Sequence, residues 1–234
     1  MATNLHLPAL FCWTRFGAEA GQPIEQILRR KEQERSANNG VFLWGIGNAV
    51  GPGIRELVGR CSSPEVLFSP ILGKARREDV KPESVVAWTS AETHDGKEYP
   101  LPSCSLVTSR QSISSPKASH YALVCFSGQT LVPCSRGCTL TFNTLRNLVS
   151  GSRLGASQVT AVVVRDEGLP MEGRVYEVAL RVSLAYPYFI RLRRPVALSP
   201  SRGSDEDWAA TVQSVWNQRA HQSLVRGLQP ALPL

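Results

Sequence analysis

The stretch VFLWGIGNAVGPG, residues 41–53, is where the reading of this chain turns. Its first six residues are apolar, with β-branched and aromatic side chains among them, and read as a strand. Glycines at 45, 47 and 51 then mark a tight turn, and Pro52 opens a short helix to Arg60 that carries Ile54, Leu57 and Val58. A strand, a glycine turn and a helix are the parts of a dinucleotide-binding unit. Here, however, the spacing is G-x-G-x-x-x-G, one residue longer than that fingerprint. A helix already precedes the strand, and Glu65 stands at the start of the next strand rather than at its end. No nucleotide cofactor is expected, and the glycines serve backbone angles.

Outward from this stretch, strands dominate. Upstream, 9–16 (ALFCWTRF) reads as a strand, and Pro23 opens a helix with Ile24, Ile27 and Leu28 on its apolar stripe. Arg29 to Arg35 read as its solvated, charged end, and Asn38-Asn39-Gly40 stops it. Downstream, 65–72 is a strand, and 85–94 turns at Asp95-Gly96, a type I′ hairpin signal. The return strand from Glu98 is broken by Pro100 and Pro102. Further strands are expected at 105–109 and 120–127, a short helix at 141–149, and a flexible loop at 150–157. The segments 158–164 and 175–184 alternate well and are expected to pair, and 188–198 is the last strand. A linker at 199–204 leads to a terminal helix with Trp208, Val212, Val215 and Trp216 on one face. The expected class is α+β, a mostly antiparallel curved sheet or small barrel with flanking helices.

With 42% hydrophobic and 19% charged residues, a chain of 234 residues can bury a core. No run of about 18 apolar residues occurs, so no membrane-spanning helix is expected. The N-terminus lacks the basic start of a secretory signal. Six cysteines without such a signal are expected to be free thiols, and the compartment to be the cytoplasm. The net charge is +7, and residues 131–200 hold nine arginines against four acids. No lysine follows Lys117. Arginine's planar fork suits phosphates and base edges, which favours nucleic acid as partner.

The short motifs of catalysis are incomplete. GASQV (155–159) lacks the second glycine of the nucleophile elbow and enters a strand. Cys134 and Cys138 follow Pro133 with three intervening residues and no H-x-E. His120 and Cys125, five apart on one strand, point to opposite faces and cannot complete a zinc site. Asp79-Val-Lys81 and Asp95-Gly-Lys97 have the D-x-K form found in metal-dependent nucleases, but the second is a hairpin turn. No catalytic residue and no metal ligand is assigned.

The aromatics carry more. Trp13, Trp44 and Trp88 each sit on an expected strand, and Tyr121 on another. Tryptophans in strands are most often core, yet two or three of these could line a cage that stacks a flipped base. Trp44 is the leading candidate, since the glycine turn beside it presents backbone amides and Asn48, whose amide can both donate and accept.

The segment Phe42-Leu-Trp44-Gly-Ile-Gly-Asn48 resembles the EVE domain of the PUA-like superfamily, whose segment runs Trp-x-Gly-Val-Arg-Asn. The order of parts is similar too: a strand with Trp13, a helix, the Trp/Gly/Asn segment, then strands. The chain also looks like a group of bacterial proteins that share the Trp13–Gly21 start and the His120–Cys125 strand, a likeness that runs nearly its whole length and brings no activity with it. The resemblance implies a small barrel over 1–130 that binds modified or flipped bases, with 131–198 completing or extending it and 199–234 as linker and helix. It carries Trp44 and Asn48 over as pocket residues. Gly47 departs from the family's arginine, and Arg110, Arg146 or Arg153 is expected to supply the phosphate contacts. The expected function is non-catalytic recognition of a modified or flipped base in DNA or RNA. A metal-dependent nuclease or other enzyme on nucleic acid is the first alternative, and a protein–protein adaptor docking through Trp208 and Trp216 the second.

Overall fold

The computed structural model describes residues 7–17, 22–46, 50–71, 85–110, 120–131, 138–155, 158–166, 168–169 and 173–198. The expected terminal helix with Trp208 and Trp216 lies outside them, as do Asn48, Asp79, Lys81 and Cys134. Strand β1 (Leu10–Phe16) is followed by helix α1 (Ile24–Ala37), β2 (Val41–Ile46), helix α2 (Gly51–Arg60) and β3 (Glu65–Pro70). Then come β4 (Val85–Glu92), β5 (Glu98–Tyr99), β6 (Thr108–Arg110) and β7 (His120–Phe126). The chain continues through β8 (Thr139–Thr141), β9 (Leu145–Asn147), β10 (Thr160–Arg165), β11 (Val175–Glu177) and the long β12 (Leu180–Leu198). The class is α+β. No helix among the described residues is long and apolar enough to cross a membrane.

Among the described residues, ten strands form one open sheet in the order β2-β7-β12-β3-β1-β10-β9, with β4 paired to β12 and carrying β5 and β6. All of these pairings are antiparallel except β1 with β3. A small second sheet joins β8 and β11. The period of two sorts side chains between the faces. Cys12 and Phe16 of β1, Phe42 of β2 and Phe68 of β3 meet Leu28 of α1 and Ile54 and Leu57 of α2, so both helices cover one face. Gly53 lets α2 lie close to the sheet, since a Cβ there would come within 2.9 Å of Val162. The other face divides in two: Trp13 and Leu67 pack with Leu140 and Tyr176, while Leu43 and Val124 pack with Trp88 and Val107.

The sheet curls at the second of these clusters. Val107, just before β6, rests on Gly45 of β2, where a Cβ would stand 2.7 Å from Val107 Cγ1. Gly45 lies within the strand expected at 41–46 and admits this close approach. No ladder joins β6 to β2 among the described residues, and the sheet stays open where a closed barrel was one expectation.

Three further expectations are corrected. Segment 141–149 is a 3-10 turn, Phe142–Thr144, leading into β9, not a helix. Its threonine, phenylalanine and asparagine are poor helix formers, and β9 gains a ladder to β10. Segments 158–164 and 175–184 do not pair with each other: β10 pairs β1 and β9, β11 pairs β8, and β12 pairs β3, β7 and β4. Alternation shows which face a strand buries but does not name its partner. The expected strand 175–184 divides between β11 and the start of β12, and the expected strand 188–198 continues β12, which becomes central to the sheet.

One side of the charged end of α1 is not solvated. Arg30, Lys31 and Glu34 are buried, with Glu34 fully inaccessible. Arg30 donates to the Leu106 carbonyl at 2.5 Å and to Gln22 Oε1 at 2.9 Å. Lys31 donates to Glu34 at 2.7 Å and to the same carbonyl at 3.2 Å. Glu34 also accepts from the Leu43 amide at 2.8 Å. Burial pushes the Glu34 carboxyl up and the Lys31 ammonium down, each opposed by its partner. This polar knot ties α1 to β2 and to the segment that sits over Gly45. At the exposed side of the same helix, Arg35 holds Glu32 down to about 2.

Candidate functional site

A pocket of about 320 Å³ opens where α2 begins. Four elements converge on it. Gly51, Pro52 and Arg55 come from the first turn and a half of α2, Glu92, Thr93 and His94 from the end of β4 and the hairpin, Tyr121 from β7, and Phe189 and Arg191 from β12. The ladders explain the convergence. Arg191 is level with Tyr121 on one side and with Glu92 on the other, so β7, β12 and β4 deliver their residues at one height.

The rings form one wall. His94 stacks on Phe189 with centroids 6.0 Å apart and 26° between planes, and Tyr121 tilts against Phe189 at 6.4 Å. Phe189 is buried and anchors the wall in the helix-side core, while Tyr121 is half-buried and His94 exposed. The guanidinium groups form the rest. Arg55 Nη1 lies 3.4 Å from His94 Nε2. Glu92 is held by Arg193 at 2.8 Å and by Arg191 at 3.6 Å. No acidic residue occupies the first turn of α2, so its amide end adds positive potential. Aromatic faces, arginine forks and one oriented carboxylate are groups that stack a planar heterocycle, hold a phosphate and accept from an exocyclic amine.

The residues singled out from the sequence are distributed as follows. Tyr121 lines this pocket. Trp44 shares its face of the sheet, half-buried between Phe16 at 5.9 Å and Phe68 at 4.8 Å. Trp13 and Trp88 lie on the other face, in two separate clusters. Trp13 is fully buried, donating to Ser69 Oγ at 3.0 Å, and Trp88 is 1% exposed and stacked on His120 at 4.6 Å. The three tryptophans therefore do not form a common cage. Asn48 lies outside the described residues, between β2 and the pocket's helix in the sequence. Sequence reading missed Arg55, Glu92, His94, Phe189 and Arg191. Only the hairpin signal at Asp95-Gly96, one residue past His94, pointed near them.

Of the three arginines expected at phosphate, Arg146 and Arg153 are joined by an isolated bridge across the 148–152 turn. Arg146 lines a second, wider groove of about 770 Å³ with Arg165 and Arg181, beside Asp166 and the residues leading into β1. Arg181 is also paired with Glu65 at 2.9 Å. The backbone of Arg110 ends β6, and its side chain lies outside what is described.

Other motifs settle into structure. His120 stacks on Trp88 while Cys125 is buried in the helix-side core, on opposite faces as their odd spacing requires. Burial pushes the Cys12 thiol up to about 12 and Cys125 well above its ordinary value, which leaves both protonated and unreactive. Asp95 pairs with Lys97 at 2.7 Å within the hairpin turn itself. Compared with known proteins, the chain matches no family model, no curated protein and no solved structure.

Proposed function

We propose that this chain is a non-catalytic nucleic-acid-binding domain that takes one splayed, modified base into the pocket at the start of α2. The observation that carries this reading is the convergence of His94, Tyr121 and Phe189 with Arg55 and Arg191 around a space of about 320 Å³. That volume falls in the range of small-ligand pockets, about 300–1,000 Å³. The rings would stack the base, Glu92 would accept from its amino edge, and Arg55 would hold the adjacent phosphate. The likeness to EVE domains in the PUA-like superfamily implies Trp44 and Asn48 as base-pocket residues, and both would contribute here, Trp44 from β2 on the same face of the sheet and Asn48 from the segment before α2. The groove at Arg146 would guide the backbone, with Arg153 at its side. Its compartment would be the cytoplasm.

The test is a binding screen of the full chain against single-stranded DNA and RNA, with and without base methylation, across a salt series. The expected result is binding that weakens linearly in log–log form with salt. Arg146→Ala should weaken it about equally for all sequences and reduce the slope by about one contact's worth, roughly 0.7 for single strands. Binding absent at every salt concentration would end the proposal. An unchanged slope in Arg146→Ala would remove the groove from it.

A further inference from the structure

We propose that Tyr186 is a second stacking platform beside the pocket, so that the ligand is a single-stranded segment of at least two nucleotides rather than a free nucleotide. This rests on the base-binding reading above. Between Leu184, level with Cys125, and Phe189, level with Leu123, β12 places four residues opposite the single Val124 of β7. The surplus leaves the sheet as a bulge, a device that re-aims side chains beside binding sites. At its crest Tyr186 is 79% exposed, the most exposed of the large apolar side chains among the described residues. The bulge is also held in an uncommon conformation, since Tyr188 has φ +71, in the left-handed region that an aromatic residue rarely adopts.

The bulge is braced from below. Tyr188 packs against the helix-side core and meets Tyr186 edge-on at 5.9 Å. Phe189, the next residue, is the ring that anchors the pocket wall. The hairpin that supplies Thr93 and His94 also carries Lys97, exposed and paired with Asp95. One turn of chain therefore ends in a ring inside the pocket and begins with a ring outside it. Neighbouring bases on a strand would meet Phe189 and Tyr186 in succession, and stacking on an exposed ring tolerates any base.

The experiment titrates wild-type protein, Tyr186→Ala, Tyr186→Phe and Arg55→Ala with the nucleoside monophosphates and with single-stranded hexanucleotides of DNA and RNA, methylated and unmethylated. The expected result is that Tyr186→Ala weakens hexanucleotide binding about tenfold, leaves monophosphate binding unchanged, and is rescued by Tyr186→Phe. If Tyr186→Ala binds hexanucleotides as the wild type does while Arg55→Ala does not, the platform is overturned and the pocket stands. An equal loss for monophosphates and hexanucleotides also overturns it, since the ring would then only support the pocket. If the wild type binds neither probe, the base-binding reading fails and this inference falls with it.

Discussion

Replacing Glu34 by alanine is expected to lower stability by about 3–5 kcal/mol, on the order of 10 °C in Tm for a chain of this size. The carboxylate is fully buried and accepts from Lys31 and from the Leu43 amide. Alanine would leave the Lys31 ammonium beside Arg30 in a dry site, with the Leu106 carbonyl and the Gln22 amide oxygen as the acceptors they share among the described residues. Removing one partner of a buried pair costs far more than the pair contributes, because the remaining charge is uncompensated. Glu34→Gln keeps an acceptor for the Leu43 amide and should lose less. Thermal unfolding of the two variants checks the ordering. A Glu34→Ala protein within about 1 kcal/mol of wild type would show that the knot does not hold α1 to the curled end of the sheet.

Trp13→Ala should be comparably damaging, about 3–5 kcal/mol, and should leave affinity per folded molecule unchanged. Trp13 has no accessible surface and packs edge-on against Tyr176 at 5.2 Å and Phe142 at 5.8 Å. Its loss would open a cavity under the small β8–β11 sheet and strip Ser69 Oγ of its donor. Trp13→Phe, which keeps most of the volume, should lose less. Chemical denaturation together with oligonucleotide titration on the same samples decides the matter. Preserved stability with lost affinity would restore Trp13 to a base-stacking role.

The two faces of each strand were legible because period two is local. Phe11 and Trp13 alternate with Cys12 and Phe16, and the structure places the pairs on opposite faces as the pattern demands. The helices were legible from Pro23, Pro52 and the stop at Asn38-Asn39-Gly40. Strand partners were not, because Val162 satisfies its face equally well against any apolar neighbour, and only the assembled sheet selects β1 and β9 for β10. The burial of Arg30, Lys31 and Glu34 was hidden for the same reason: a charge run reads as solvated until a distant carbonyl, that of Leu106, arrives to complete it. The pocket suffers most from this limit. Arg55 and Arg191 are 136 positions apart in the chain, and only the packing of α2 on the sheet, together with the ladders of β12 to β7 and β4, brings them to one pocket. Tryptophans on neighbouring strands have the makings of a cage, yet the largest rings are the ones that a core absorbs first.

The most direct measurement of the pocket's role is the affinity of Arg55→Ala for a methylated and an unmethylated single-stranded oligonucleotide, taken with its melting temperature. Arg55 is exposed on α2 with its guanidinium beside His94, so the fold should tolerate the change. The expected result is an unchanged melting temperature, affinity for the preferred oligonucleotide reduced by about tenfold or more, and residual salt-sensitive binding from the groove at Arg146. Wild-type affinity in Arg55→Ala, with the melting temperature also unchanged, would contradict the placement of the base in this pocket.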